Sequence, residues 1–148
     1  MIIRPMEPAD LSTVLALSAA EASAAHWTGT AYETLLSRAR SGDALLLVAE
    51  QQHTLLGFLA AQSAGPDWEL ENIVVLPAAR RQGIATALLG GLIAALRGRS
   101  VPMLLLEVRA SNFAAREFYD QHSFAATALR RDYYPDPVED AVIYALHL

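Results

Sequence analysis

The segment from residue 68 to residue 110 most limits what this chain can fold into. An alternating stretch, "WELENIVV", leads into a glycine-containing loop, a long apolar helical pattern from about Gly83 to Arg97, and the apolar stretch "VPMLLLEVRA". A strand, a helix and a second strand in this order predict a parallel pair joined by a helical crossover. The other elements must be arranged around that unit.

Shorter patterns extend this unit in both directions. "MIIRPME" predicts a strand, a helix runs from Pro8 to about Ala22, and a second helix covers "AYETLLSRARSG" and stops at Gly42. "ALLLVAEQQHTLLGFLAAQSA" predicts two strands that turn near Gln52 and His53, "NFAAREFYDQHS" predicts a helix, and two strands close the chain. The predicted order is β-α-α-β-β-β-α-β-α-β-β. We expect an α/β fold with a twisted, mixed central sheet of about seven strands and helices on both faces.

Length and composition exclude several classes of function. The chain has 148 residues, which fits a single domain over residues 1 to 148. It has no cysteine, which excludes disulfides, thiolate metal sites and a cysteine nucleophile. The histidines lie far apart in the sequence, so we expect no metal site; they are His26, His53, His122 and His147. The net charge of −5 argues against general nucleic-acid binding.

The sequence carries no signal for a membrane or for export. No apolar run reaches the ~18 residues that are needed to cross a bilayer. The opening "MIIRPMEPADL" lacks a charged leader followed by an apolar block. We therefore expect a cytoplasmic protein that does not bind membranes.

The loop "LPAARRQGIA" places two arginines beside the start of a helix. Such a start has unpaired backbone N–H groups and a partial positive charge, and it favours a phosphate. Gly83 and Ala85 leave room for an oxygen near the backbone, while Arg80 and Arg81 add full charges. The loop therefore predicts a pyrophosphate site, although an ordinary turn with exposed arginines is also compatible. GxxxxGK[ST] and GxGxxG are both absent, so ATP and NAD are poor candidates.

"RRQGIA" resembles the [RQ]xxGx[GA] loop of the GNAT N-acetyltransferases, which binds the pyrophosphate of acetyl-CoA. "LEVRASN", "EFYDQHSF" and "RRDYYPDPVEDAVIYAL" resemble the C-terminal half of the bacterial RimI type, the ribosomal-protein-alanine N-acetyltransferases. This likeness runs almost unbroken from about Asn72 to Leu146, and "HWTGTAYE" is similar to the substrate-side loop of that type. The resemblance implies the GNAT fold, acetyl-CoA as cosubstrate, and as acceptor the N-terminal amine of an alanine-starting ribosomal protein.

Glu107 is the candidate base for the acceptor amine. It stands near the end of an apolar strand, where a carboxylate is costly unless it has a partner or faces a wet cleft. An α-amino group has a pKa of about 8, so a modest base is enough at neutral pH. Glu107 matches the RimI-type base, although pairing with Arg109 or another arginine would also explain it. Glu69 and Glu71, which share one face of the preceding strand, are alternative bases.

Tyr119 is the candidate acid. It lies seven residues after Asn112, which is two turns along one helix face. In the family the tyrosine at this position protonates the departing sulfur, and a core aromatic side chain is the alternative. Asn112 is placed to cap the helix and by resemblance also contacts CoA.

The resemblance assigns the other coenzyme contacts to two stretches. In the family the strand that holds Ile73, Val74 and Val75 separates from its neighbour, and pantetheine pairs with the freed edge. A backbone N–H there polarises the thioester oxygen. A plain buried strand is compatible with the same β-branched residues. The contacts that the loop motif implies are Arg80, Arg81, Gln82, Gly83, Ile84, Ala85 and Thr86.

The acceptor is expected to bind near the chain's tail. Tyr133, Tyr134 and Glu139 match the RimI-type region that helps to hold the peptide N-terminus, although an aromatic pair before a proline can equally be packing. Trp27 either walls the peptide groove or closes the core. Glu71 is expected on this side too, and the acidic residues together favour a cationic acceptor such as a free amine.

Direct transfer, without an acetyl-enzyme intermediate, is the expected route. The chain has no cysteine, and no serine shows a nucleophile-elbow pattern. Two other interpretations stay open: the same fold acting on a small amine or a lysine side chain, and a non-catalytic module that binds acyl-CoA. The presence of both Glu107 and Tyr119 argues against the second.

Overall fold

Seven strands form one sheet at the centre of the protein. A computed structural model describes residues 1–21, 24 and 27–148. The strands are β1 (Ile2–Pro5), β2 (Ala44–Gln51), β3 (Thr54–Ala64), β4 (Asp67–Val75), β5 (Met103–Arg109), β6 (Ala125–Pro135) and β7 (Val138–His147). Their order in the sheet is β1-β2-β3-β4-β5-β7-β6. Only β4 and β5 pair in parallel, so the predicted mixed sheet and the crossover between them are confirmed.

Among the described residues, four α-helices cover the two faces of the sheet. They are α1 (Leu11–Ala20), α2 (Gly29–Arg40), α3 (Ile84–Gly98) and α4 (Phe113–Gln121). One core packs beneath α3 and α4, and its fully buried residues include Leu88, Leu92 and Leu104. The other packs beneath α1 and α2 around Tyr32 and Phe58. None of the helices described here is long and apolar enough to cross a membrane.

Several helix ends differ from the sequence-based prediction, among them the start of α1, which begins at Leu11 after a 3-10 turn at Pro8–Asp10. α1 ends at Ala20, and the predicted end at Ala22 lies outside the described residues. α2 begins two residues earlier than predicted, because the Thr28 hydroxyl accepts a hydrogen bond from Ala31 N at 3.2 Å and caps it. α3 ends at Gly98, one residue beyond the predicted end at Arg97.

An extra residue in β4 changes the face that its side chains occupy. Asn72 pairs with position 60 of β3 and Leu70 pairs with position 61, so Glu71 has no opposite residue on β3. This is a β-bulge. Leu70 packs in the core beneath α3, whereas Val74 packs in the core beneath α1 and α2. Strict alternation would place both side chains on one face.

β4 and β5 separate after a short paired stretch. Only Trp68 with Leu104 and Glu69 with Leu105 are in register as partners. Beyond them a gap opens, and residues 73 to 75 pair with β3 on one edge without a described strand partner on the other. The gap places free backbone groups and the side chains of both strands around a common opening.

Candidate active site

Two cavities meet at the gap between β4 and β5. The first has a volume of about 450 Å³ and is lined from α4 by Asn112 and Tyr119. The second has a volume of about 410 Å³ and is lined from β6 by Arg130 and Tyr133. Five residues line both cavities: Leu70, Glu71, Leu106, Glu107 and Tyr134. Two carboxylates, Glu71 and Glu107, therefore stand between the two cavities.

Tyr119 is a buried side chain that reaches the first cavity. It is 7% exposed, and its ring contacts Phe124 edge-on with centroids 5.3 Å apart. Its hydroxyl makes no hydrogen bond to any described residue. Burial raises the pKa of Tyr119 above its ordinary value, so the phenol stays protonated well beyond neutral pH. A protonated hydroxyl at this wall can donate a proton into the cavity.

The helix that carries Tyr119 is held at its start by Asn112. The Asn112 side-chain oxygen accepts a hydrogen bond from Ala115 N at 3.2 Å, which confirms the predicted cap. Asn112 and Tyr119 line the same cavity, as expected for residues two turns apart on one helix face. The cap therefore fixes the end of α4 that borders the cavity.

Glu107 contacts a cation and a phenol from β6. Arg130 Nη1 lies 3.2 Å from Glu107 Oε1. Hydrogen bonding to the Glu107 carboxylate also raises the pKa of Tyr133. The arginine partner foreseen for this carboxylate is thus Arg130, because Arg109 pairs with Glu139 at 3.3 Å. Glu107 remains accessible from both cavities.

Glu71 is the more deeply buried of the two central carboxylates. Burial raises the pKa of Glu71, and the nearby carboxylates of Glu69 and Glu107 raise it further. A hydrogen bond of 2.9 Å from Gln62 Nε2 acts in the opposite direction. The three carboxylates create a negative potential in the second cavity, which suits a cationic ligand.

The loop before α3 provides an open backbone surface. Gly83 is the N-cap of α3 with φ +78°, and no side chain caps the helix start. A Cβ added at Gly83 would meet no atom within 4 Å, so the space above the backbone is open. Arg81 adopts φ +60° beside it, and Arg80 pairs with Glu21. The exposed N–H groups, the open space and the arginines together suit a phosphate.

The other loop and strand residues contribute in different ways. Ile84 and Val74 are core residues, 3% exposed each, so they can offer only backbone groups to a ligand. The Thr86 hydroxyl lies 3.2 Å from His122 Nε2, and His122 Nδ1 lies 2.7 Å from the carbonyl of Phe118. This contact ties the first turn of α3 to the end of α4. Among the remaining predicted residues Gln82 is exposed, and Ile73, Val75 and Ala85 are half-buried.

Two predicted acceptor residues line neither cavity. The Glu139 carboxylate accepts a hydrogen bond from Ser111 N at 2.6 Å, and this bond together with the Arg109 contact lowers the pKa of Glu139. Its contacts tie β7 to the segment before α4. The Trp27 ring packs against Tyr32 with centroids 5.5 Å apart, at the edge of the core beneath α2. A role for Trp27 or Glu139 in acceptor binding stays a prediction.

Sequence reasoning missed three polar residues of the site. Arg130 contacts Glu107, Gln62 contacts Glu71, and Arg38 contacts Gln62. Arg130 and Arg38 lie far in sequence from their partners, whereas Gln62 lies on the strand next to Glu71, where the β-bulge decides which side chains meet. Each contact therefore depends on the fold, and no local motif assigns it. In the described part of the chain no three or more His, Asp or Glu side chains are arranged to hold a metal ion, and His26 lies outside that part.

Comparisons with known proteins agree with this geometry. The acetyltransferase (GNAT) family profile matches residues 13–124. The ribosomal protein bS18-alanine N-acetyltransferase of Haemophilus ducreyi is 38% identical over 128 residues, which are 84% of this chain and 88% of the relative. The Escherichia coli protein of that name is 44% identical over 98 residues, or 65% of this chain and 66% of the relative.

A solved structure extends the likeness to almost the whole chain. The crystal structure of the ribosomal-protein-S18-alanine N-acetyltransferase from Escherichia coli matches with a TM-score of 0.86 and 33% identity. The match covers 99% of this chain and 92% of that chain. The resemblance to the GNAT enzymes and to their RimI type is confirmed. This chain belongs to the acetyltransferase (GNAT) family and is an acetyl-CoA-dependent acyltransferase.

Proposed function

We propose that this protein transfers the acetyl group of acetyl-CoA to the N-terminal α-amine of a ribosomal protein that begins with alanine. The observation that carries the proposal is the position of Glu107, which lies where a cavity bordered by Tyr119 meets an acidic cavity bordered by β6. The printed names of the relatives support the acceptor. Ribosomal proteins are made in the cytoplasm, so the reaction would take place there, within one domain.

The first cavity and the α3 loop fit the coenzyme. Open space above Gly83 and the uncapped start of α3 suit a pyrophosphate, with Arg80 and Arg81 beside it. The unpaired edge of residues 73 to 75 suits an extended amide-bearing arm, because it offers backbone hydrogen bonds along the gap. Asn112 borders the same cavity. When bound there, acetyl-CoA supplies an activated acetyl thioester.

The side chains at the gap have complementary roles. Glu107 accepts a proton from the acceptor ammonium at a carboxylate oxygen, which frees the amine as a nucleophile. Tyr119 donates its hydroxyl proton to the departing sulfur. The raised pKa of Tyr119 means that this proton is still present when the sulfur leaves. A backbone N–H from residues 73 to 75 polarises the thioester oxygen. Transfer is direct, because the chain has no cysteine and the described residues that line the two cavities include no serine or threonine to carry the acetyl group.

The second cavity suits the acceptor. Glu69, Glu71 and Glu107 give it negative charge, and Tyr133 and Tyr134 supply aromatic walls beside them. An α-ammonium group at the end of an extended peptide combines a positive charge with little width. Such a group fits the narrow gap between β4 and β5 better than a cationic side chain on the surface of a folded protein does.

Two matched peptides test the proposal. Thiol release from acetyl-CoA is measured with a hexapeptide that has a free N-terminal alanine, and with an N-terminally blocked counterpart that carries a lysine. We expect turnover with the free terminus alone. Turnover only with the lysine peptide would favour a side-chain acceptor. Tight coenzyme binding without turnover of either peptide would favour a small-amine acceptor or a non-catalytic module.

A further inference from the structure

A line of polar contacts runs from α2 to the gap. Arg38 Nη1 donates to the side-chain oxygen of Gln62, and Arg38 Nη2 donates to Ser63 Oγ at 3.2 Å. Gln62 Nε2 then donates to Glu71 Oε1 at 2.9 Å. Gln62 lies on β3, so it connects a helix on the outer face of the sheet to a carboxylate between the two cavities.

The chemistry of the three side chains determines which group donates and which accepts in each of these hydrogen bonds. A guanidinium group has only donors, so Arg38 must face the carbonyl oxygen of the Gln62 amide. The amide nitrogen of Gln62 is thereby turned toward Glu71. A carboxylate accepts such a bond best when it is ionised. Arg38 therefore sets the orientation of Gln62, and Gln62 favours a charged Glu71 that points into the cavity.

Glu71 needs such support because its surroundings oppose its charge. It sits at the bulge of β4, without an opposite residue on β3 that would hold it by regular pairing. The titratable groups that share the second cavity with it are Glu69 from β4, Glu107 from β5, and Arg130, Tyr133 and Tyr134 from β6. The cation in this set, Arg130, is paired with Glu107. Gln62 is the donor that the structure gives to Glu71 itself.

We infer that Gln62, oriented by Arg38, is a positioning residue that holds Glu71 as the anionic partner of the acceptor's ammonium group. This inference rests on the proposed function and adds the group that binds the amine before Glu107 takes its proton. Glu71 lines the cavities on both sides, so an ammonium held there lies next to Glu107. Binding and proton removal are then assigned to different carboxylates.

The test is a double-mutant cycle on acceptor kinetics. Gln62→Met keeps the length of the side chain and removes its donors, and we expect the KM for the free-alanine peptide to rise about tenfold with kcat nearly unchanged. In a Glu71→Gln background the same Gln62→Met change has no further effect on KM, because Gln62 acts through Glu71. Gln121→Met is the matched control, since Gln121 contacts Glu117 on α4 outside both cavities.

The pH profile gives a readout that a purely structural role would not change. Loss of the Gln62 donor removes an interaction that lowers the pKa of Glu71, so Glu71 stays protonated to higher pH. The acid-side fall of kcat/KM for the peptide therefore moves to higher pH in Gln62→Met. Arg38→Met, which frees the amide to turn, shifts the profile in the same direction by less and replaces Gln62→Met if that variant fails to fold.

The outcomes separate this inference from the function on which it rests. If the wild type does not acetylate the free-alanine peptide, the proposed function falls and the inference falls with it. If the wild type acetylates the free-alanine peptide, an unchanged KM and pH profile in Gln62→Met overturn the inference alone. Additive effects of Gln62→Met and Glu71→Gln overturn it as well, because they show that Gln62 does not act through Glu71.

Discussion

The Asn112 side-chain oxygen lies 3.2 Å from Ala115 N, and this contact caps the helix that carries Tyr119. Asn112→Ala removes the acceptor, and we expect a loss of about 1 kcal/mol in the free energy of unfolding. Asn112→Asp keeps a capping oxygen and so keeps the stability, measured by denaturant unfolding.

The aspartate variant also separates the cap from the coenzyme. A carboxylate at this position borders the first cavity, and we expect it to weaken acetyl-CoA binding through repulsion of the anionic coenzyme. Calorimetry measures that affinity. Wild-type affinity in Asn112→Asp would restrict Asn112 to capping.

Tyr119→Phe tests the proton donor. Phenylalanine keeps the ring contacts with Phe124 and Tyr144 but removes the hydroxyl. We expect kcat to fall by about a hundredfold, with little change in acetyl-CoA affinity. Because burial raises the pKa of Tyr119, its deprotonation does not limit wild-type activity below about pH 10. Wild-type turnover in this variant would remove Tyr119 from the acid role.

Gly83→Val tests the open space before α3. Gly42 is a matched control, because both glycines have positive φ and a Cβ at either would meet no atom within 4 Å. Each valine variant is expected to lose roughly 1–2 kcal/mol of stability from the left-handed backbone. Only Gly83→Val should lose acetyl-CoA binding in calorimetry. Equal affinities in the two variants would show that the loop is only a turn.

Two adjacent glycines in α3 should respond differently to alanine. Gly90 is exposed and a Cβ there would meet nothing, so Gly90→Ala is expected to stabilise the protein by up to about 1 kcal/mol. A Cβ at Gly91 would lie 3.2 Å from Leu47 Cδ1 and 3.4 Å from Ile3 Cγ2. Gly91→Ala should therefore gain less, or lose stability. Thermal unfolding compares the stability of the two variants. Equal gains in stability would mean that Leu47 and Ile3 move away from the added Cβ at Gly91 without cost.

The order of the elements could be predicted from the sequence because each boundary has a local signal. Gly42 and Gly83 mark two helix ends, and both adopt the positive φ that glycine favours. Ser123 takes φ +69° at the end of α4 without such a signal. The bulge at Glu71 was not predictable, because it depends on which residues of β3 lie opposite β4.

Only those residues of the site that lie in a recognisable sequence motif, and whose role that motif gives, could be predicted from the sequence. Glu107 and Tyr119 stand in recognisable stretches, and both line the first cavity. Arg130 opens the stretch "RRDYYPDPVEDAVIYAL", but its contact with Glu107 could not be predicted, because Glu107 lies on β5 and β7 lies between β5 and β6 in the sheet. The pairing of β6 with β7 is irregular between Arg130 and Tyr134, so alternation could not give the directions of these side chains.

Glu107 lies at the meeting point of the two cavities and is the proposed base. Glu107→Gln keeps the size of the side chain and removes its basicity. We expect the rate of acetylation to fall most at low pH, because an α-amine with a pKa of about 8 is then mostly protonated and must lose a proton to react. Glu117→Gln, on the exposed side of α4, is the control for a lost carboxylate.

The most direct measurement is the pH–rate profile of acetylation of the free-alanine peptide by the wild type and by Glu107→Gln. We expect a ratio of wild-type to variant rates that is largest at low pH and shrinks as the pH rises above 8, the approximate pKa of an α-amine. A variant whose profile matches that of the wild type over this range would contradict this expectation, and would move the base to Glu71 or to a chain of water molecules.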